Sequence, residues 1–300
     1  MKILYIAVHN YKNETKWRTE SFLSSSFLKH KIKFNKLDYR TILQSSNELE
    51  LKKQINKSIE GCDLIFLQRG EGISPETFSD VKIPIVFWSS EPINRNKDVD
   101  RLLKSNIFSW VYVHTHKCLE RMKKEFPHLI NKSSVLHNAV GEEKINLSDN
   151  NRKYLSIFNR TVSLRRKYWL FHSRSLVKII KGKFGDLYYA DLRNSDIAVN
   201  IHYSSKSIDD FETGIFEAMA CGCIIVSEKL PLQTLIDLDM QDAIIEVESP
   251  KELREKLIYL KNNPNVLKQY KEKTKDVICK NTWHDRAKIM KNKFKEICEK

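Results

Sequence analysis

A chain of 300 residues with 41% hydrophobic residues holds enough apolar material for one large core or two smaller ones, and the composition is that of an ordinary globular protein. No apolar run approaches the roughly 20 residues that span a bilayer, and the six cysteines (Cys62, Cys118, Cys221, Cys223, Cys279, Cys298) form no Cys-x-x-Cys pair, which argues against a membrane span, a zinc domain or a disulfide framework. The formal charge of +14 is spread over both halves, with 24 Lys and Arg against 18 Asp and Glu in residues 1–150 and 28 against 20 beyond, so an anionic partner (nucleotide diphosphate, nucleic acid or lipid headgroup) and a plain surface of solvated lysines are both open readings.

The start Met-Lys-Ile-Leu-Tyr-Ile-Ala-Val is too short for a signal-peptide core and continues as a strand, Lys2–His9, which predicts a cytoplasmic chain. A helix is expected at Trp17–Leu28 with Thr15 as a cap, then strands at Lys33–Asp38, Asp63–Gln68, Ile83–Trp88 and Trp110–His114, with helices at Ser46–Glu60 and Lys117–Phe126 between them. Such alternation predicts a doubly wound parallel sheet. After a strand at Val135–Val140 comes the polar, aperiodic run from Gly141 to Arg152, and the pattern restarts at Tyr154–Phe158, which sets the boundary between residues 1–148 and 149–280. The second half reads as a helix at Arg165–Ile180, short strands near Asp186–Tyr189 and at Ile197–Ile201, a helix at Thr213–Ala220, strands at Ile224–Ser227 and Ala243–Val247, and helices from Pro250 onward, with residues 281–300 as a helical tail. The fold class is therefore α/β, with two Rossmann-like doubly wound domains.

The segment with the most chemistry is Asp209-Asp-Phe-Glu-Thr-Gly-Ile-Phe-Glu-Ala-Met-Ala-Cys-Gly222, a loop running into a short helix after a strand. A helix N-terminus presents unpaired N–H groups and the positive dipole end, so the backbone around Phe211, Glu212, Thr213, Gly214 and Ile215 is placed to hold a diphosphate. Glu217, just inside the helix, can accept hydrogen bonds from a pair of ribose hydroxyls, while Asp209 on the loop can reach hydroxyls of a transferred sugar. The alternative is a solvated Asp209–Asp210 pair and a helix-start charge at Glu217. His114 and His116 can share a strand face as metal ligands, but no third ligand is close in sequence, and no metal is expected.

Phe216-Glu217-Ala-Met-Ala-Cys-Gly222 followed by an apolar strand resembles the donor-site signature of retaining group 1 glycosyltransferases of the two-domain GT-B fold. Within that clan, Cys62-Asp-Leu-Ile-Phe-Leu-Gln68, Ser74-Pro-Glu-Thr-Phe78, Ile83-Pro-Ile-Val-Phe-Trp-Ser-Ser-Glu-Pro92 and Thr282-Trp-His-Asp-Arg286 resemble the branch related to spore maturation glycosyltransferases. The resemblance implies two domains facing a cleft, with the acceptor on residues 1–148, the nucleotide-sugar donor on 149–280 and the C-terminal helix packing back toward the N-terminal domain. It implies a nucleoside-diphosphate sugar as donor, no cofactor or metal, and anomeric retention. A basic pair that would hold the diphosphate corresponds to Arg160 and Arg165, and guanidinium forks suit the charge that grows on a leaving diphosphate. Asn138, in a turn of the hinge, would line the cleft; Trp17, Arg18 and Glu20 would face the acceptor; Glu91 would orient its hydroxyl. Where the family pattern usually has Glu, this chain has Asp209, one methylene shorter. Two rival functions stay open: a nucleic-acid-directed, DNA-modifying glycosyltransferase, and a non-catalytic protein that keeps the nucleotide-sugar fold.

Overall fold

A computed structural model describes residues 1–10, 17–90, 97–147, 152–204 and 211–299. The chain divides into two compact units, Met1–Asn138 with Trp283–Lys300, and Ala139–Thr282.

In the first unit, strands β1 (Lys2–Ala7), β2 (Lys33–Asp38), β3 (Leu64–Gln68), β4 (Ile85–Ser89), β5 (Trp110–Val113) and β6 (Ser133–Val135) form a sheet in the order β2-β1-β3-β4-β5-β6, every pair parallel. All five residues of β3 (LIFLQ) and of β4 (IVFWS) are buried, the continuous apolar pattern expected of strands covered on both faces. Helices α1 (Thr19–Lys29), α2 (Tyr39–Ser45), α3 (Glu48–Ser58), α4 (Asp100–Lys104) and α5 (His116–Glu125) supply the crossovers. Three of them begin at side-chain caps: Asp38 accepts from the Thr41 N–H, Asn47 from Glu50 and Thr115 from Cys118.

The second unit repeats the plan. Strands β7 (Tyr154–Phe158), β8 (Val177–Ile179), β9 (Ser195–Asn200), β10 (Ile224–Glu228) and β11 (Ile244–Val247) run parallel in the order β11-β10-β9-β7-β8. They are joined by α6 (Leu164–Phe171), α7 (Asp186–Arg193), α8 (Thr213–Ala220) and α9 (Leu232–Asp237), and followed by α10 (Pro250–Asn262) and α11 (Pro264–Ile278). Because β8 and β9 lie on opposite sides of β7, the strand order reverses there, and the crevice above a reversal is where open α/β sheets bind ligands.

The last helix, α12 (Trp283–Cys298), belongs to the first unit. Its Trp283, Ala287, Met290 and Phe294, three to four residues apart, are buried on one face. The Phe294 ring lies 5.6 Å from Phe66 and 6.3 Å from Phe27, and Trp283 meets Trp88 edge-on at 5.4 Å. The two doubly wound parallel sheets and the returning C-terminal helix are as the sequence predicts.

Several expected elements differ. The helix expected at Arg165–Ile180 stops at Phe171, and Val177–Ile179 becomes the edge strand β8; apolar Trp169, Leu170 and Val177 fit either periodicity, and only pairing with β7 decides for a strand. The strand expected near Asp186–Tyr189 is the first turn of α7, entered through Gly185 at φ +61, with Tyr189 and Leu192 on the buried face. The strand expected at Val135–Val140 ends at Val135, and Val140 makes an isolated bridge to Thr282. His114 and His116 share no strand face: β5 ends at Val113 and His116 opens α5. Thr15 lies outside the described residues, and the residue preceding α1 is Arg18, which makes no side-chain cap. Among the described residues no helix is long and apolar enough to cross a membrane.

Candidate functional site in the second unit

At the C-terminal ends of β7, β8 and β9 the second unit holds a cavity of about 690 Å³. Its wall is built from three connections: Asn159–Val162 after β7 with Arg166 on α6, Lys181–Lys183 after β8 with Tyr188 on α7, and Glu212, Gly214 and Glu217 at α8. It sits at the reversal of strand order, and the first turn of α8, where N–H groups have no intrahelical carbonyl to meet, contributes to its wall.

Arg166 is held as a fixed fork. Its Nε donates to the Ile201 carbonyl at 2.7 Å, Nη1 to the Thr161 carbonyl at 2.8 Å and Nη2 to Glu212 Oε1 at 3.0 Å. The guanidinium also lies over the rings of Phe158 (5.5 Å) and Tyr203 (5.4 Å). Burial, reinforced by the neighbouring Arg160 charge, brings its pKa down to about 10. Arg160 is likewise lowered by burial and is ion-paired with the other oxygen of Glu212. One carboxylate thus sits on two guanidinium groups, Arg166 buried and Arg160 half-buried.

Glu217 is the single charged residue in α8, whose Ile215, Phe216, Ala218, Met219 and Ala220 are all buried. Burial pushes its carboxyl above the usual carboxylate range, opposed by a hydrogen bond from Tyr188, the Arg160 charge and the Tyr189 hydroxyl, which donates at 3.4 Å. Gly214 has a steric reason: a Cβ there would lie 2.5 Å from Arg160 Nη2 and 3.2 Å from the Tyr188 hydroxyl. Also lining the cavity, Asn159 has a buried Nδ2 with no hydrogen-bond partner among the described residues, a donor that a polar ligand would satisfy.

Of the site residues expected from sequence, Arg160, Glu212, Gly214 and Glu217 come together at this cavity. Thr213 contributes its place in the first turn of α8, whereas Phe211 and Ile215 are core side chains, Phe211 packing edge-on to Phe216 at 5.2 Å. Arg165 does not line the cavity. It forms a two-pronged pair with buried Glu228 (Nη1 to Oε2 2.6 Å) and donates to the His202 carbonyl, so on α6 it points toward the C-terminal ends of β9 and β10 while the next residue reaches Glu212. Arg166 therefore stands where Arg165 was expected. Asp209 and Glu91 lie outside the described residues.

The remaining candidates belong to the first unit. Arg18 and Glu20 pair with each other (3.2 Å), and Glu20 is buried at the start of α1. Trp17 is half-buried just ahead of them. The carbonyls of His137 and Asn138 accept from Arg286 on α12 at 3.1 and 3.4 Å, tying that turn to the C-terminal helix. The reading from sequence missed Asn159, Arg166, Tyr188, Lys181 and Lys183. The Lys-Gly-Lys-Phe-Gly run at 181–185, with both glycines at positive φ, is the signal that marks a tight loop ahead of a helix.

The sequence model of the family described as Glycosyl transferase-like matches residues 174–292, which take in Lys181–Lys183, Tyr188, Glu212 and Glu217 but not Asn159–Arg166. None of the curated protein sequences matches the chain. Solved structures match over nearly the whole length: Alr3699/HepE of Anabaena in complex with UDP-glucose (TM-score 0.66, 11% identity, 99% of this chain and 100% of that one); a glycosyltransferase of Rickettsia africae (0.66, 12%, 99% and 98%); and the DNA-modifying enzyme beta-glucosyltransferase (0.61, 14%, 100% of each). The structural matches show the GT-B architecture, and the matched family segment carries the α7–α8 side of the cavity.

Proposed function

We propose that the chain transfers a sugar from a nucleoside-diphosphate sugar to an acceptor hydroxyl, with the donor held in the cavity of the second unit. The observation that carries this is one polar cavity at the strand reversal lined by two guanidinium groups, Arg160 and Arg166, that share Glu212, and by the half-buried carboxylate of Glu217. The guanidinium groups and the first-turn amides of α8 suit a diphosphate; Glu217, braced by Tyr188 and Tyr189, suits the paired hydroxyls of a ribose. The UDP-glucose held by the Anabaena structural neighbour favours UDP as the nucleotide.

The donor-site signature Phe216–Gly222 favours retention of anomeric configuration and the branch related to spore maturation enzymes. In that chemistry the bond from the anomeric carbon to the β-phosphate oxygen breaks and the bond to the acceptor oxygen forms. The acceptor proton passes to the departing diphosphate, whose growing charge Arg160 and Arg166 meet without a metal. Asp209 would hold hydroxyls of the transferred sugar, and Glu91, Trp17, Arg18, Glu20 and Asn138 would serve the acceptor side. Residues 1–148 would take the acceptor and 149–280 the donor, with the chain working in the cytoplasm.

A second reading changes only the acceptor. The full-length fold match to a DNA-modifying glucosyltransferase and the charge of +14 favour a base in DNA; duplex binding that falls steeply with salt would support it. The main test is UDP-glucose binding and donor hydrolysis by the parent and by Glu217→Ala. Loss of about a hundredfold in hydrolysis is expected, the scale on which aligned polar contacts to a reacting ligand act. Equal rates in the two proteins would remove the assignment.

A further inference from the structure

The outer face of α6 combines exposed apolar side chains with a run of cations. Leu164, Tyr168 and Phe171, spaced four and three residues apart on one helix face, are 83%, 64% and 60% exposed. The face continues beyond the helix end: the Tyr168 and Phe171 rings meet His172 at 6.4 and 5.6 Å, and the Arg174 guanidinium lies 5.1 Å over Phe171. Its surroundings are basic to an unusual degree. Residues 152–185 contain ten Lys and Arg and no Asp or Glu. Five of those cations, Arg152, Arg160, Arg165, Arg166 and Lys183, are engaged with carboxylates, but Lys167, Arg174, Lys178 and Lys181 are exposed. From the neighbouring α10, Arg254 reaches over to the His172 carbonyl at 2.8 Å, and exposed Glu255 is matched by Lys251.

We propose that this face docks the protein on an anionic lipid surface, with Leu164, Tyr168 and Phe171 entering the headgroup region and Lys167, Arg174 and Lys178 facing the lipid charges. An aliphatic tip flanked by amphipathic aromatic rings and lysines is the composition that seats a helix in a membrane interface. A nucleic-acid strand fits less well. Leu164, the most exposed of the three, offers no ring for a base to stack on, and Arg174 already covers the Phe171 ring. The same helix carries Arg166 into the cavity on its inner side, so docking here would bring the donor pocket to the membrane surface. The proposal goes beyond the function proposed above and stands without it, since vesicle binding and nucleotide binding are separate measurements.

The test is co-sedimentation of the full chain with phosphatidylcholine vesicles, with and without about 30% phosphatidylglycerol, at low and high salt. Binding to the anionic vesicles alone, weakened by salt, is expected. The triple variant Leu164→Ser, Tyr168→Ser, Phe171→Ser and the double variant Lys167→Glu, Arg174→Glu should each lower it by about tenfold or more while keeping the parent's thermal midpoint and UDP binding. Failure of the parent to bind anionic vesicles, or unchanged binding by the triple variant, would overturn the proposal. So would random duplex DNA binding that depends on these residues while vesicle binding does not.

Discussion

Both oxygens of Glu212 sit on guanidinium groups, so a nucleoside diphosphate that used those groups, as proposed, would have to displace or repel that carboxylate. Glu212→Gln is therefore expected to tighten UDP binding by about tenfold, a change of about 1.4 kcal/mol read by titration calorimetry; weaker binding would show that Glu212 positions the arginines instead. Glu217 carries a separate signature in stability. Its carboxyl is held above the usual range chiefly by burial, so the folded state binds that proton more tightly than the unfolded chain does. Between the ordinary value and the raised one, the native state loses stability as pH rises, and the loss is complete above the raised value. Glu217→Gln should accordingly raise the thermal midpoint at neutral pH, and the gain should shrink toward zero as pH falls through the ordinary carboxylate range. The same substitution should weaken UDP binding, the trade expected of a strained functional group.

At the scale of the element, α8 shows how a short segment fixes a site. It is apolar nearly all round, packs against α11 and β10, and ends at Cys221–Gly222, where the Gly222 and Cys223 N–H groups bond back to Met219 and Ala218. Gly222 has φ +72, and a Cβ there would lie 2.6 Å from Arg152 Nη2, which itself donates to the Cys221 carbonyl. Gly222→Ala should cost about 1–3 kcal/mol in denaturant unfolding, from backbone strain and a displaced arginine. The flanking cysteines are packing groups: Cys223 is fully buried with Sγ 3.1 Å from the Leu192 carbonyl, and burial pushes the Cys221 thiol up to about 12. The largely buried α8 and its glycine stop were legible from the run Thr213–Ser227, because its apolar density and Gly222 have one local solution. The α6–β8–α7 region was misread because Arg165–Ile180 and Asp186–Tyr189 satisfy helix and strand periodicities about equally. With α7 taken as a strand, Tyr188 and Tyr189 could not be placed beside Glu217.

For the whole molecule, the C-terminal helix shows how distant parts of the sequence complete one unit. Phe294, fully buried against Phe27 of α1 and Phe66 of β3, joins the last helix to elements more than two hundred residues earlier in the chain. Phe294→Ala should destabilise the first unit by about 3–5 kcal/mol, seen as a lowered midpoint for that unit in thermal unfolding; an unchanged midpoint would show that α12 frays freely. The sequence by itself determined the class of fold, since buried parallel strands must be apolar throughout and their spacing leaves room for one helix between each pair. It also marked α8 as a helix that lines a polar cavity, since Gly214, Glu217 and Gly222 lie within nine residues of one another. Which arginine enters the cavity was decided only by tertiary structure. Arg165 and Arg166 are adjacent and chemically identical, and a rotation of about 100° per helical residue sends one to Glu228 and the other to Glu212. That choice depends on where β7 and β10 place their ends, which no local stretch of sequence contains.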